Sequence, residues 1–156
     1  MSEKILVKDL QKLDPGSELV HLFELEYVQG SFMYFHSGLG LDDDLTTIQM
    51  RDYENPSTIR TYVALPSQFK GVEIKNDGAI ARPELTLANA QTVFSDAVGT
   101  LDYQKFLGLK IIRRTTLKKY LHGEGSATNP PTEYPRAVYL MDRIKTRTKT
   151  AVTIEC

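Results

Sequence analysis

Three histidines, a run of three aspartates, two adjacent arginines and one cysteine are the residues of this 156-residue chain best suited to chemistry. His21 and His36 fall in the two arms of an expected hairpin, so a shared metal is the first reading to weigh. A transition-metal site needs three or four ligands at defined spacings. His122 lies far along the chain and no further ligand stands at such a spacing, so the histidines read as partly buried strand residues. Asp42, Asp43 and Asp44 offer oxygen ligands to a hard cation such as Ca²⁺. They lack the alternating ligands and distal Glu of an EF-hand loop, and read as a solvated acidic loop. Arg113 and Arg114 could hold an anion, but adjacent strand residues point to opposite faces. At most one faces a given partner, and a salt bridge or interface contact is the better reading. Gly123-Glu124-Gly125 is too short a signal for phosphate binding, and no Ser/His/Asp set, nucleophile elbow, Walker loop or dinucleotide fingerprint is present. Cys156, the sole cysteine, allows neither an intrachain disulfide nor a cysteine metal site. The residues therefore predict no metal, no cofactor and no enzyme.

Composition narrows the class further. Hydrophobic residues make up 41% and charged residues 25%, with a formal net charge of -1, as in ordinary soluble globular chains. A chain of this size buries roughly two-thirds of its unfolded surface without staples. The balanced charge gives no support to a nucleic-acid-binding face. No apolar run approaches the roughly 20 residues of a membrane span, and Lys8 and Asp9 interrupt the N-terminal apolar stretch where a signal peptide would continue.

The elements that must position these residues are mostly strands. The organising stretch runs from Arg82 to Leu117. Pro83 opens a strand in which Leu85 and Leu87 share one face, with Glu84 and Thr86 on the other. Ala90 to Val98 carries Val93, Phe94 and Val98 at helical spacing, with Gly99 as its stop. Leu109 to Leu117 is a second strand. Before this centre, Ile5, Leu6, Leu10 and Leu13 give a short helix ended by Pro15-Gly16. Glu18 to Val28 alternates with a period of two and turns at Gln29-Gly30 into Phe32 to His36. Thr46 to Asp52 and Thr58 to Leu65 flank a turn at Glu54 to Ser57, and Val72 and Ile74 mark a short strand before the Asn76-Asp77-Gly78 turn. After the centre, His122 to Pro135 is a long exposed loop of the kind that is usually functional. Ala137 to Thr146 and Thr150 to Glu155 close the chain as a hairpin. The fold class expected is mainly β, an antiparallel β-sandwich or partly open barrel with one or two short helices, in a single domain over residues 1–156.

Several strings resemble the N-terminal part of the minor tail protein L family of long-tailed, non-contractile phages. They are Leu22-Phe23-Glu24-Leu25-Glu26, Tyr34-Phe35-His36, Gly71-Val72-Glu73-Ile74, Arg82-Pro83-Glu84-Leu85-Thr86-Leu87-Ala88-Asn89, Leu107-Gly108, Ile111-Ile112-Arg113-Arg114 and Ala151-Val152-Thr153-Ile154-Glu155. The Arg-Pro-x-Leu-x-x-x-Asn string is the most specific. The resemblance spans about residues 18 to 156. It implies a structural virion protein of the tail tip, between the tail tube or distal ring and the central hub, present in the host cytoplasm before assembly. Family members usually carry an iron–sulfur cluster in a C-terminal cysteine-rich part. This sequence stops at Cys156, where that part would begin, so no cluster is expected. It also lacks the family's Trp-containing strand and has a longer segment from Tyr53 to Phe69.

With that resemblance, the expected partners are other copies in a three- or six-fold ring and the flanking tail proteins, with DNA passing through the lumen and no membrane. Tyr53, Phe69, Arg113, Arg114, Pro131 and Tyr134 are the candidate interface residues. Asp42, Asp43 and Asp44 are candidates for the lumen wall, where they would repel phosphates. The alternatives are an enzyme with an unrecognised site, which would need a deep pocket with perturbed titratable groups, and a carbohydrate-binding β-sandwich, which would expose aromatics on one face.

Overall fold

Alternating side chains and turn residues build ten strands among the residues that the structure, a computed structural model, describes: 18–37, 47–72, 82–88, 107–125, 127–148 and 150–156. They are β1 (Leu19–Val28), β2 (Ser31–His36), β3 (Thr47–Arg51), β4 (Ile59–Ala64), β5 (Ser67–Lys70), β6 (Glu84–Ala88), β7 (Lys110–Leu117), β8 (Ala137–Leu140), β9 (Arg143–Arg147) and β10 (Ala151–Glu155). One sheet has the order β3-β4-β2-β1-β7-β8 and the other β5-β6-β10-β9. The fold is mainly β, sandwich-like, with two sheets and no closed barrel among the described residues. β3–β4, β5–β6, β6–β10 and β9–β10 pair antiparallel, and β2–β4 pairs parallel. The helices expected over Ile5 to Leu13 and Ala90 to Val98 lie outside the described residues. A 3-10 turn at Lys118–Tyr120 is the helical element described.

Chain contacts define two compact units, each woven from three segments. The first comprises Met1–Glu24, Tyr34–Ala64 and Ile112–Val138. Its core gathers Val20, Leu22, Ile48, Met50, Tyr62 and Leu121, with Tyr34 packed on it. The register Ile48↔Tyr62 and Met50↔Arg60 sets the buried face of β3 against Tyr62, which meets Tyr34 edge-on at 5.5 Å. Thr47 and Gln49 on β3 and Ile59, Thr61 and Val63 on β4 stay exposed, the alternation of a strand covered on one face. In β1 the burial is instead continuous from Leu22 to Glu26, as in an interior strand with both faces covered.

The second unit comprises Leu25–Met33, Leu65–Ile111 and Tyr139–Cys156. Leu87 faces Val152 and Leu85 faces Ile154 across β6–β10, and all four are buried. On the opposite face Thr86 and Thr153 share a hydroxyl hydrogen bond of 3.0 Å, a cross-strand pair that fixes the register. Two strand assignments are corrected here. The short strand expected at Val72 and Ile74 lies earlier, at β5, because Gly71 takes φ +77 and ends it. Val72 follows as an exposed non-strand residue, and Ile74 lies outside the described residues. The strand expected from Ala137 to Thr146 breaks at Met141–Asp142. Met141 is buried and its N–H donates to Leu109 O, while its carbonyl accepts from Gly108 N–H. The next N–H, of Asp142, donates to Glu155 O, and β8 and β9 join different sheets.

Candidate functional site

Arg114 is the largest fully buried side chain among the described residues, at 0% exposure. It lies on β7 between Ile112 and Thr116, the buried positions on either side of it in the strand alternation. Its five N–H donors all have acceptors. Nε and Nη2 donate to the two oxygens of Glu133, both at 2.7 Å. Nη1 donates to the Tyr62 hydroxyl at 3.0 Å and to Glu24 Oε1 at 3.4 Å. Nη2 also donates to Arg51 O at 2.9 Å. The Tyr62 hydroxyl in turn donates to Glu24 at 2.6 Å. Burial alone would lower the Arg114 pKa, but its hydrogen bonds with Glu133 and the charges around it drive it up. Burial pushes the Tyr62 phenol up as well. Both groups keep their proton at any ordinary pH. The hub holds one cation against two carboxylates and joins β1, the end of β3, β4, β7 and the segment around Glu133.

That segment corrects the expected exposed loop. Gly123, Glu124, Gly125, Ala127, Asn129 and Pro130 are exposed, but Pro131, Thr132 and Glu133 are buried. Thr116 donates its hydroxyl to Thr132 O at 2.7 Å, and Tyr134 N–H donates to Thr115 O at 2.8 Å. Tyr134 is half-buried beside Leu117 and Tyr120. At the other end Leu121 enters the core and His122 N–H donates to Gln49 O. The loop is a tip between two buried anchors.

The candidate contact residues therefore divide. Arg114 and Pro131 lie inside the chain's own fold and offer no surface. Tyr53 is 49% exposed with the Arg136 guanidinium stacked 3.7 Å from its ring centroid. Phe69 is half-buried against Tyr139 at 5.1 Å. Arg113 is half-buried and lies 3.3 Å from His21 Nδ1. Asp42, Asp43 and Asp44 lie outside the described residues. Sequence reasoning missed Glu24, Tyr62 and Glu133. The signal for Glu24 was its place on the same face of β1 as Val20 and Leu22, where a carboxylate needs a buried partner.

His21 carries a pH signature. Its Nδ1 lies 3.1 Å from Thr115 Oγ1 and 3.3 Å from Arg113. Burial, and then the Arg113 charge, holds its pKa below the ordinary value. The unfolded chain therefore takes up a proton at His21 before the folded one does. Stability contributed by neutral His21 is intact above the unfolded value of about 6.5 and is lost as pH falls from there toward the folded pKa. A His21→Gln variant is expected to flatten this limb. Urea midpoints measured from pH 7.5 to 5 check it, and parallel curves for the two proteins would refute it.

The residues present do not fit an iron–sulfur cluster. Such clusters take about four thiolates. The 156 residues supply one cysteine, and burial with the nearby Asp142 and Glu155 carboxylates pushes its thiol up to about 11. Among the described residues no three His, Cys, Asp or Glu side chains come together as a metal site, and no helix there is long and apolar enough to cross a membrane. The profile of the family described as phage minor tail protein L matches residues 30–156, well over half of the chain.

Proposed function

The chain belongs to the phage minor tail protein L family, and from that premise we propose that it works at the tail tip of a long, non-contractile tail. Membership makes it a structural protein of the phage tail. In the proposed role it joins the tail tube or distal ring to the central hub, helps start tail assembly, and waits in the host cytoplasm until it enters the virion. It does so as a three- or six-fold ring, with Asp42 to Asp44 toward the lumen, where their charge repels the phosphates of passing DNA. A ring repeats one heterologous contact, which needs two different patches on each protomer, and the loop from His122 to Pro135 is one candidate. Exposed Tyr53 with its stacked Arg136, together with the partly exposed Phe69, Arg113 and Tyr134, supply contacts of the type that interfaces enrich.

The family match carries this reading, and the surface is in keeping with it. Among the exposed large apolar side chains of the described residues, Tyr53 is the aromatic one, beside Leu19, Val28, Ile59, Val63, Val72, Leu107, Val138 and Leu140. A sugar-binding face would show several aromatics. Excision of the exposed loop tests the assembly role. Excising residues 123–133 would remove Glu133 and wreck the hub, so the informative excision is 123–130, bridged by a short turn. Tails made with that variant are expected to stall before the tube forms, although the purified variant folds. Complete tails from a folded excision variant would count against the loop as a mating surface. Localisation of the protein along the tube rather than at the tip would overturn the tip assignment. The proposed lack of a metal is checked by elemental analysis of the purified 156-residue chain, where stoichiometric iron or zinc would contradict it.

A further inference from the structure

We infer that the exposed tip around Glu124 docks on the basic edge strand β9 of a second copy of this chain. The inference rests on the assembly role proposed above and names the two patches that one heterologous contact requires.

Both flanks of the tip are held before any partner arrives. Glu124 N–H donates to Leu121 O and Ala127 N–H donates to Glu124 O, both at 3.1 Å. The Thr128 and Thr132 hydroxyls share a hydrogen bond of 2.7 Å, and Thr132 is held by Thr116. Glu133 is gripped by two parallel bonds from Arg114. A buried ion pair is no better for stability than an apolar pair of the same shape. It does fix the position of what it holds, here the C-terminal base of the tip. A loop held at both flanks loses less conformational freedom on binding than a free one. Within the tip, Glu124 is the charged side chain, and it is exposed.

The complementary patch is on the second unit. β9 is an outer strand of its sheet and exposes Arg143, Lys145 and Arg147. Arg143 pairs with Glu155 at 2.9 Å, and Lys145 pairs with Glu84. Their side chains nevertheless remain 59% and 48% exposed. The register of β9 against β10 slips between Thr153 and Ile154, where Ile154 faces Ile144 and Thr153 faces Thr146. Lys145 is thus the extra residue of a bulge. A bulged, positively charged edge resists the addition of a whole strand. It suits a compact loop tip that brings a carboxylate and needs no long backbone ladder.

The test is a charge swap in the full chain, read by sedimentation equilibrium at low and high salt. Glu124→Lys and Arg147→Glu are each expected to weaken self-association about tenfold or more, since each sets like charges opposite one another. Glu124→Lys should leave the unfolding midpoint in place. The double variant Glu124→Lys/Arg147→Glu is expected to recover to within about threefold of wild type, and wild-type association should weaken with salt. Single variants that associate like wild type, a double variant no better than the singles, or a wild-type chain monomeric at every concentration reached would each overturn the contact. Such a result would mean that the β9 charges only guard the edge. Incorporation into tails separates the two readings. If this contact fails while the protein still enters the tail tip, the proposed function stands. If the protein is absent from tails altogether, that reading falls with it.

Discussion

Replacing Arg114 by methionine is expected to remove about 3–5 kcal/mol of stability, the range for breaking one side of a buried ion pair. A domain of this size has only about 5–15 kcal/mol in total, so the variant should be partly unfolded at 37 °C. The loss comes from what stays behind. Glu24 and Glu133 would keep their carboxylates inside the fold with no cation, the Tyr62 hydroxyl would lose a donor, and Arg51 O would lose its partner. Lysine at 114 should do better than methionine but far from well, because its three donors cannot reproduce two parallel bonds to Glu133 plus three others. The triple change Arg114→Met, Glu24→Leu, Glu133→Leu should recover much of the loss, since no charge is then stranded. Urea denaturation of the four proteins decides the matter. An Arg114→Met midpoint equal to wild type would refute the account. A triple variant as unstable as the single one would mean that shape, rather than charge, dominates at the hub.

How much of this was legible beforehand differs by element. Patterns confined to one strand read well: Leu85 and Leu87 share the buried face of β6 as their spacing required, and Gln29-Gly30 turns between β1 and β2. The break at Met141–Asp142 did not read, because Val138 to Ile144 looks like continuous strand sequence. The stop is made by a bond from Gly108 N–H and by bonds to the carbonyls of Leu109 and Glu155, all remote in the chain. The pairing of Arg113 and Arg114 told that the two point to opposite faces, but not that Arg114 is the one buried. That depended on Glu133, nineteen residues away. Burial of Pro131 to Glu133 was hidden for the same reason: proline-rich sequence signals a loop, and only the partner of Glu133 shows that its base is interior. The acidic run at Asp42 and the family resemblance were plain in the sequence, while the geometry of any interface belongs to a second molecule.

Substituting alanine at Gly71 is expected to cost about 2–4 kcal/mol, more than at any other glycine described. Two separate penalties combine there. The backbone sits at φ +77, where an L-residue pays about 1–2 kcal/mol. The added Cβ would also stand 2.7 Å from Arg82 O, closer than any contact that packing tolerates, and the obstacle is main chain rather than a side chain that can swing away. Relief requires the chain after β5 to move from the start of β6, which loosens the end of the ladder where Lys70 faces Glu84. Gly30 supplies the control. It has nearly the same conformation, φ +82, but nothing lies within 4 Å of an added Cβ. Gly30→Ala should therefore lose only the conformational part, about 1–2 kcal/mol. The difference between the two variants isolates the Arg82 contact. Equal losses, measured by urea denaturation under one set of conditions, would show that the approach of residue 71 to Arg82 contributes nothing. A larger loss at Gly30 would show that the β1–β2 turn, not the β5–β6 junction, is the tighter constraint.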